Sequence, residues 1–234
     1  MRSYGDACRF AFALDVVGER WALLVVRELL LGPKRFTEIR AGLPGASPNI
    51  LSERLRELEG AGVIRRRKLA PPAGSSVYEL TEWGAELEPV VTRLGAWGAR
   101  SPLQPAGTRI GIDSIALALR SLFDPERAGE ISAVYELRVD GDRFTVSVDA
   151  GEIGLRRGAA QEPAVAIEGG PAELAALITG EVSLDAALES GALAIEGGRR
   201  EVARFLRLFP MPEPCASAGC QGALVAESGV AVTV

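Results

Sequence analysis

Helix stop signals recur through the first 62 residues too often for any long helix to form. They are Gly18, Gly32 with Pro33, Gly42 with Pro44, and Gly60 with Gly62. Glycine frees the backbone and proline removes an N–H donor, so either one ends a helix. Between these breaks the apolar residues keep a helical period. "FALDVVGERWALLVVRELLLG" reads as two apolar helical stretches broken near Gly18, and "KRFTEIRAGLPG" as a short third helix. Ser47 then caps a fourth, with Pro48 at the first position, where a missing N–H does no harm. That helix is expected to end near Gly60 or Gly62. "VIRRRKL" and "SVYEL" have strand character and flank "APPAGSS", a turn-rich loop. Thr81 caps a longer helix expected to reach about Trp97.

"RSPLQPAGTRIG" interrupts the pattern with two prolines and two glycines, and marks a boundary. The organisation expected is a first domain over residues 1–100, a linker at 101–108, a second domain over 109–210 and a flexible tail at 211–234. The second domain mixes helix and strand. "GIDSIALALRSLF" is an apolar helix, and "AVYELRV", the turn "DGD" and "RFTVSVD" form a hairpin. Tyr135, Leu137 and Val139 alternate with Glu136 and Arg138, which predicts a sheet with one apolar face. A short echo follows: "AVAIEGG" precedes the helix "PAELAALITG", and "ALAIEGG" precedes "RREVARFLRLF". The fold class expected is α+β.

Charge divides along the same boundary. Residues 1–100 hold 15 Lys+Arg and 12 Asp+Glu, a net +3, whereas residues 101–234 hold 11 and 19, a net −8. Such asymmetry suggests different partners for the two halves. The chain has no histidine. That removes Ser-His-Asp and Cys-His catalysis and the helical zinc-protease motifs. Cys215 and Cys220 cannot close a four-ligand zinc site without histidine, and they have no assigned role. No catalytic residue, metal site or cofactor is therefore expected. "MRSYGDACRF" is not a hydrophobic leader, and no apolar run reaches the ~18 residues of a membrane span. A cytoplasmic protein with no membrane partner is the default expectation.

The fourth helix is unusual in what it exposes. With Leu51 at the origin of a helical wheel of ~100° per residue, Leu55 and Leu58 fall beside it as a core stripe. Asn49, Glu53 and Arg56 fall opposite, with Ser52 next to them. These side chains pair with base edges: Asn with adenine, Arg with guanine, Glu with cytosine. Ser47 and the unpaired N–H groups at the helix start suit a phosphate. Residues 34–68 carry nine Lys+Arg (Lys34, Arg35, Arg40, Arg54, Arg56, Arg65, Arg66, Arg67, Lys68) against four Glu, a net +5. A basic patch on such a unit is the electrostatic footprint of nucleic-acid binding. The order of helix, short helix, polar-faced helix, basic hairpin and helix is the winged helix-turn-helix plan.

Here the residues resemble a known family. A Cys just before "ALDVVG-x-x-W", then "LRELLLGPKRF-x-E-(L/I)R", "LPG-x-SPN-x-LS-x-RL-x-x-LE-x-x-G" and "Y-x-LTE-x-G" are similar to the HxlR family of bacterial winged-helix regulators, over about residues 8–99. The resemblance implies a homodimer on a near-palindromic site in double-stranded DNA. It implies Ser47 to Arg56 as the groove-reading segment, residues 65–79 as the wing, and outer helices, including Trp83 to Trp97, as the dimer surface. The DNA-binding residues expected are Lys34, Arg35, Ser47, Pro48, Asn49, Ser52, Glu53, Arg56, Arg65, Arg66, Arg67 and Lys68. Cys8 matches a position that senses oxidants in some members, although Arg9 stands where the family usually has proline.

Residues 109–209 resemble a sterol-carrier-protein-type domain through "LITGEVSLDAALESGALAIEGGRREVARFLRLF". That resemblance implies a cavity for an apolar small-molecule effector, with Phe144, Val146, Leu155, Leu177, Leu188 and Phe205 as candidate lining or as plain core. Three roles follow: a dimeric transcriptional regulator with an effector domain, a hydrophobic-ligand carrier that dimerises through its first half, or a thiol sensor acting through Cys8.

Overall fold

The computed structural model describes residues 3–70, 74–101 and 110–215. Most of the expected linker, the wing-loop residues 71–73, and the tail from 216 onward, Cys220 included, lie outside the described residues.

The first half folds as α1 (Arg9–Val17), α2 (Ala22–Leu29), α3 (Phe36–Gly42), α4 (Pro48–Gly60), β1 (Ile64–Lys68), β2 (Ser76–Leu80), α5 (Glu82–Ala85) and α6 (Glu88–Ala99). Ser47 caps α4 as expected, its Oγ accepting from the Ile50 N–H at 3.4 Å. Leu51, Leu55 and Leu58 bury completely against Val25, Val26, Leu29 and Ile39, and Val63 and Ile64 complete the cluster at the base of the hairpin. β1 and β2 pair antiparallel with Arg66 opposite Tyr78.

One element departs from expectation. The helix capped by Thr81 stops at Ala85 and restarts at Glu88, because Pro89 fits only in a first turn. Gly84 holds the short piece tightly against the hairpin: a Cβ there would sit 1.9 Å from the Val63 carbonyl oxygen.

The second half comprises α7 (Ile112–Leu122), α8 (Pro125–Ala128), β3 (Ala133–Val139), β4 (Asp142–Asp149), β5 (Glu152–Arg157), β6 (Val165–Gly169), α9 (Pro171–Thr179), α10 (Leu184–Glu189), β7 (Leu193–Gly197) and α11 (Arg199–Leu206). The strands form one sheet in the order β5-β4-β3-β6-β7, antiparallel except where β6 runs parallel to β3. Asp140 (φ 49°) and Gly141 (φ 87°) turn the β3–β4 hairpin with positive φ at both central residues, which matches the right-handed twist of the strands. Tyr135, Leu137, Val139, Phe144, Val146 and Val148 face α7, α9 and α11 in a second apolar cluster.

The opposite sheet face is not simply solvated. Glu136, expected outside, is 2 % exposed. Its carboxylate accepts from Arg138 Nε at 2.6 Å and from the Ala160 N–H at 2.7 Å. A loop folded over the sheet thus supplies the donors that a buried carboxylate requires.

α7 packs along α6 and beside α2, so the two halves touch through helices. Gly95 permits the approach, since a Cβ there would lie 2.8 Å from Ser121 Oγ. Arg120 ties the contact by pairing with Glu88 and donating to the Leu155 carbonyl at 2.9 Å. No helix among the described residues is long and apolar enough to cross a membrane.

Candidate nucleic-acid interface

Every residue expected to read DNA from α4 is exposed: Asn49, Ser52, Glu53 and Arg56 on the side away from its leucine stripe, and Ser47 and Pro48 at its start. Ser52 is partly committed, since its Oγ donates to the Pro48 carbonyl at 2.8 Å. Arg54 differs from its neighbours. It turns inward, 7 % exposed, and pairs with Glu57.

The turn before α4 is set from a distance in sequence. Trp21 holds a left-handed backbone (φ 77°) at the start of α2, an outlier for so bulky a residue. Its ring lies where a side chain at Gly45 would be, 2.9 Å from the position of a Cβ. Trp21 therefore fixes the loop that presents Ser47, a role the sequence reading missed. Its only local signal was the pairing of a tryptophan with a glycine-proline loop.

The wing carries exposed Arg65, Arg66, Arg67 and Lys68. Arg65 and Arg67, on one face of β1, share Glu79 of β2 at 2.8 Å and 2.9 Å. The Arg67 hydrogen bond, with that of Arg65, holds the Glu79 carboxyl below its usual range. The carboxylate spaces the two guanidiniums apart and keeps them extended at the surface. Arg66, on the other face, lies 5.9 Å from the Tyr78 ring centroid, a cation–π distance that steadies the strand without removing the charge from solvent. Arg35 is exposed at the start of α3.

Lys34 corrects the expectation. Its side chain is only 12 % exposed, and its ammonium donates to Glu28 Oε2 at 2.7 Å and to Asp113. With both carboxylates buried, the cation is already paired within the protein.

α1, α5 and α6 expose apolar side chains: Phe10, Phe12, Trp83, Val90, Leu94 and Trp97. A groove of about 310 Å³ runs between α1 and α5, lined by Phe12, Val16, Val17, Trp83 and Leu87.

Cys8 is exposed and stands at the N-cap position of α1. The backbone N–H groups of Ala11 and Phe10 lower its thiol pKa from the ordinary value. The helix start, not the adjacent Arg9, is the cause. Cys215 is exposed, with its backbone N–H donating to the Arg100 carbonyl at 2.8 Å.

The candidate effector-site residues divide. Phe144, Val146, Leu155, Leu177 and Phe205 are buried in the second apolar cluster, and Leu188 is half-buried on α10. None of the six lines the α1–α5 groove or the cleft of about 430 Å³ between α2, α3, α7 and β5. No group of three or more His, Cys, Asp or Glu suited to a metal occurs among the described residues.

A polar-faced helix behind a short helix, followed by a basic two-stranded wing, defines a winged helix-turn-helix protein of the DNA-binding class. Comparison places it further. The HxlR-like helix-turn-helix family matches residues 16–104, and the SCP-2 sterol transfer family matches residues 116–209. The uncharacterized HTH-type transcriptional regulator YvaP of Bacillus subtilis is 42% identical over 89 residues, covering 38% of this chain and 82% of that protein. The HTH-type transcriptional regulator YodB of Bacillus subtilis is 39% identical over 85 residues, covering 36% of this chain and 76% of that protein. The solved reduced form of YodB aligns with a TM-score of 0.37 at 35% identity, covering 41% of this chain and 94% of that one. This chain belongs to the HxlR family of helix-turn-helix transcriptional regulators and carries an SCP-2 domain after the helix-turn-helix.

Proposed function

We propose that the protein is a homodimeric, sequence-specific regulator acting in the cytoplasm, with residues 1–100 binding DNA and residues 109–210 forming an effector unit for an apolar small molecule. The observation that carries the DNA reading is the uniform exposure of Asn49, Ser52, Glu53 and Arg56 on α4 beside the exposed run Arg65 to Lys68. Asn49, Glu53 and Arg56 read base edges in the major groove, while Ser47 and the start of α4 take a phosphate. Arg35 and the wing cations hold the backbone. The apolar face of α1 and α6 joins two copies, which places two copies of α4 about one DNA turn apart. The SCP-2 match supports the effector unit.

Selection of genomic fragments by the purified full chain tests this. A palindromic site enriched roughly a thousandfold over scrambled duplex supports it. Weak, salt-sensitive binding to all duplexes would favour a hydrophobic-ligand carrier that uses its first half for dimerisation.

Two substitutions separate base reading from charge. Arg56→Ala should weaken the selected site about 10- to 100-fold and relax preference at one base pair. Lys68→Ala should weaken all duplexes alike and lower the salt slope by about 1. Equal loss on every duplex for Arg56→Ala would remove it from the base-reading set.

Exposure and a lowered thiol pKa at a helix start favour a second reading, in which Cys8 senses oxidants. Alkylation of the native protein near neutral pH should modify Cys8 faster than Cys215. Equal rates would leave Cys8 an ordinary surface thiol.

A further inference from the structure

Lys34 joins the wing to the second half of the chain through both its backbone and its side chain. The Lys34 N–H donates to the Tyr78 carbonyl at 3.0 Å, and the Tyr78 N–H donates back at 2.8 Å. Lys34 therefore forms an isolated antiparallel bridge to β2, in line with Arg66, which is the β1 partner of Tyr78. Its ammonium reaches across to Glu28 of α2 and to Asp113 in the first turn of α7. Asp113 also pairs with Arg157, the last residue of β5. Arg157 bonds Asp142 at 2.6 Å and lies 4.9 Å from the centroid of the buried Phe144 ring. One unbroken row thus runs from the wing surface to the core of the SCP-2 domain: Arg66, Tyr78, Lys34, Asp113, Arg157, Phe144.

The row has the properties of a switchable contact. Glu28 and Asp113 are 2 % and 3 % exposed on their side chains. Buried ion pairs add little net stability when complete, but breaking one leaves a poorly solvated charge. Glu28, Lys34, Asp113 and Arg157 line the 430 Å³ cleft between the two halves, which gives them room to rearrange. The helix-turn-helix is seated on the same group. A Cβ at Gly42, the last residue of α3, would lie 2.2 Å from Glu28 Oε2.

We infer that the Lys34–Asp113–Arg157 row is the element through which the SCP-2 domain sets the position of the wing, and with it DNA affinity. The inference rests on the regulator reading. A shift of β4 or β5 moves Arg157, leaves Asp113 to Lys34 alone, and so draws the Lys34 ammonium toward α7 and pulls on its backbone place beside Tyr78. Coupling of this kind is reciprocal, so occupation of DNA by the wing tightens the row in return.

Amide hydrogen exchange on the full chain tests the row without DNA and without an effector. Asp113→Asn and Arg157→Gln should each raise exchange at the Lys34 and Tyr78 amides about tenfold. Amides of Leu55 and Leu58 in α4 should stay at the wild-type rate. The selected DNA site should change affinity about fivefold or more in the same variants, although Asp113 and Arg157 are not on the DNA-reading face. Arg157→Lys, which keeps the charge, should restore both readouts. Should Asp113→Asn fail to fold, Arg157→Gln decides alone, since that side chain is one-third exposed. Exchange at Tyr78 within about twofold of wild type in folded Arg157→Gln would overturn the inference. If the wild-type protein selects no DNA sequence, the regulator reading fails, and the exchange result still judges the row.

Discussion

Leu94→Glu combined with Trp97→Glu is expected to give a folded monomer whose affinity for a palindromic site has dropped about a thousandfold. Both residues lie on the outer side of α6, 49% and 75% exposed, in line with Val90 and close in type to Phe10, Phe12 and Trp83. Large apolar side chains exposed in a row, as Val90, Leu94 and Trp97 are along α6, mark a contact. The opposite side of α6 is already taken by α7. Among the described residues, the outer face of α6 is left for a second copy. Two charges there oppose association without touching either apolar cluster, so the fold survives. Each monomer then keeps one half-site and loses the gain of binding two at once. Light scattering would report the mass, and titration of full and half sites the affinity. A monomeric wild type, or a double variant that binds as wild type, would remove α6 from the dimer contact.

Phe205→Ala is expected to cost about 3–5 kcal/mol and to lower the melting temperature of the second half by about 10 °C or more. Phe205 is fully buried on α11, with its ring centroid 4.8 Å from Tyr135 and 4.9 Å from Phe209. Such ring pairs stabilise beyond the area they bury. The same substitution decides between packing and cavity lining. A side chain that borders a ligand space leaves few contacts to lose, and its truncation would cost about 1 kcal/mol. Denaturant unfolding followed by tyrosine and tryptophan emission would give the difference. A loss under about 1 kcal/mol would place Phe205 at a cavity wall and favour the apolar-effector site among these residues.

Much of this arrangement was legible before any fold was known, because its causes are local. Ser47 and Pro48 start α4 through their own backbone chemistry. Asp140 and Gly141 turn the β3–β4 hairpin through their own φ preferences. The leucine spacing of α4 separates its buried stripe from its exposed polar face with no help from a partner. The break at Glu86 and Leu87 was also local, signalled by Pro89.

What the sequence by itself determined, then, is the order and kind of elements, the polar face of α4, the basic wing, and membership of a regulator family with an SCP-2 domain attached. Only the tertiary structure decided where individual charges end. Arg54 and Arg56 lie two residues apart on one helix, yet one is buried beside Glu57 and the other is exposed. Lys34 reads as one more cation of a basic stretch, but its partner Asp113 is 79 residues away. Glu136 alternates as a surface residue should, but a loop closes over it with a donor from Ala160. Periodicity and capping are written within a few residues, since they depend on backbone geometry. The pairing of a charge depends on which distant segment the fold brings within about 3 Å of it, and chain-local spacing does not record that distance.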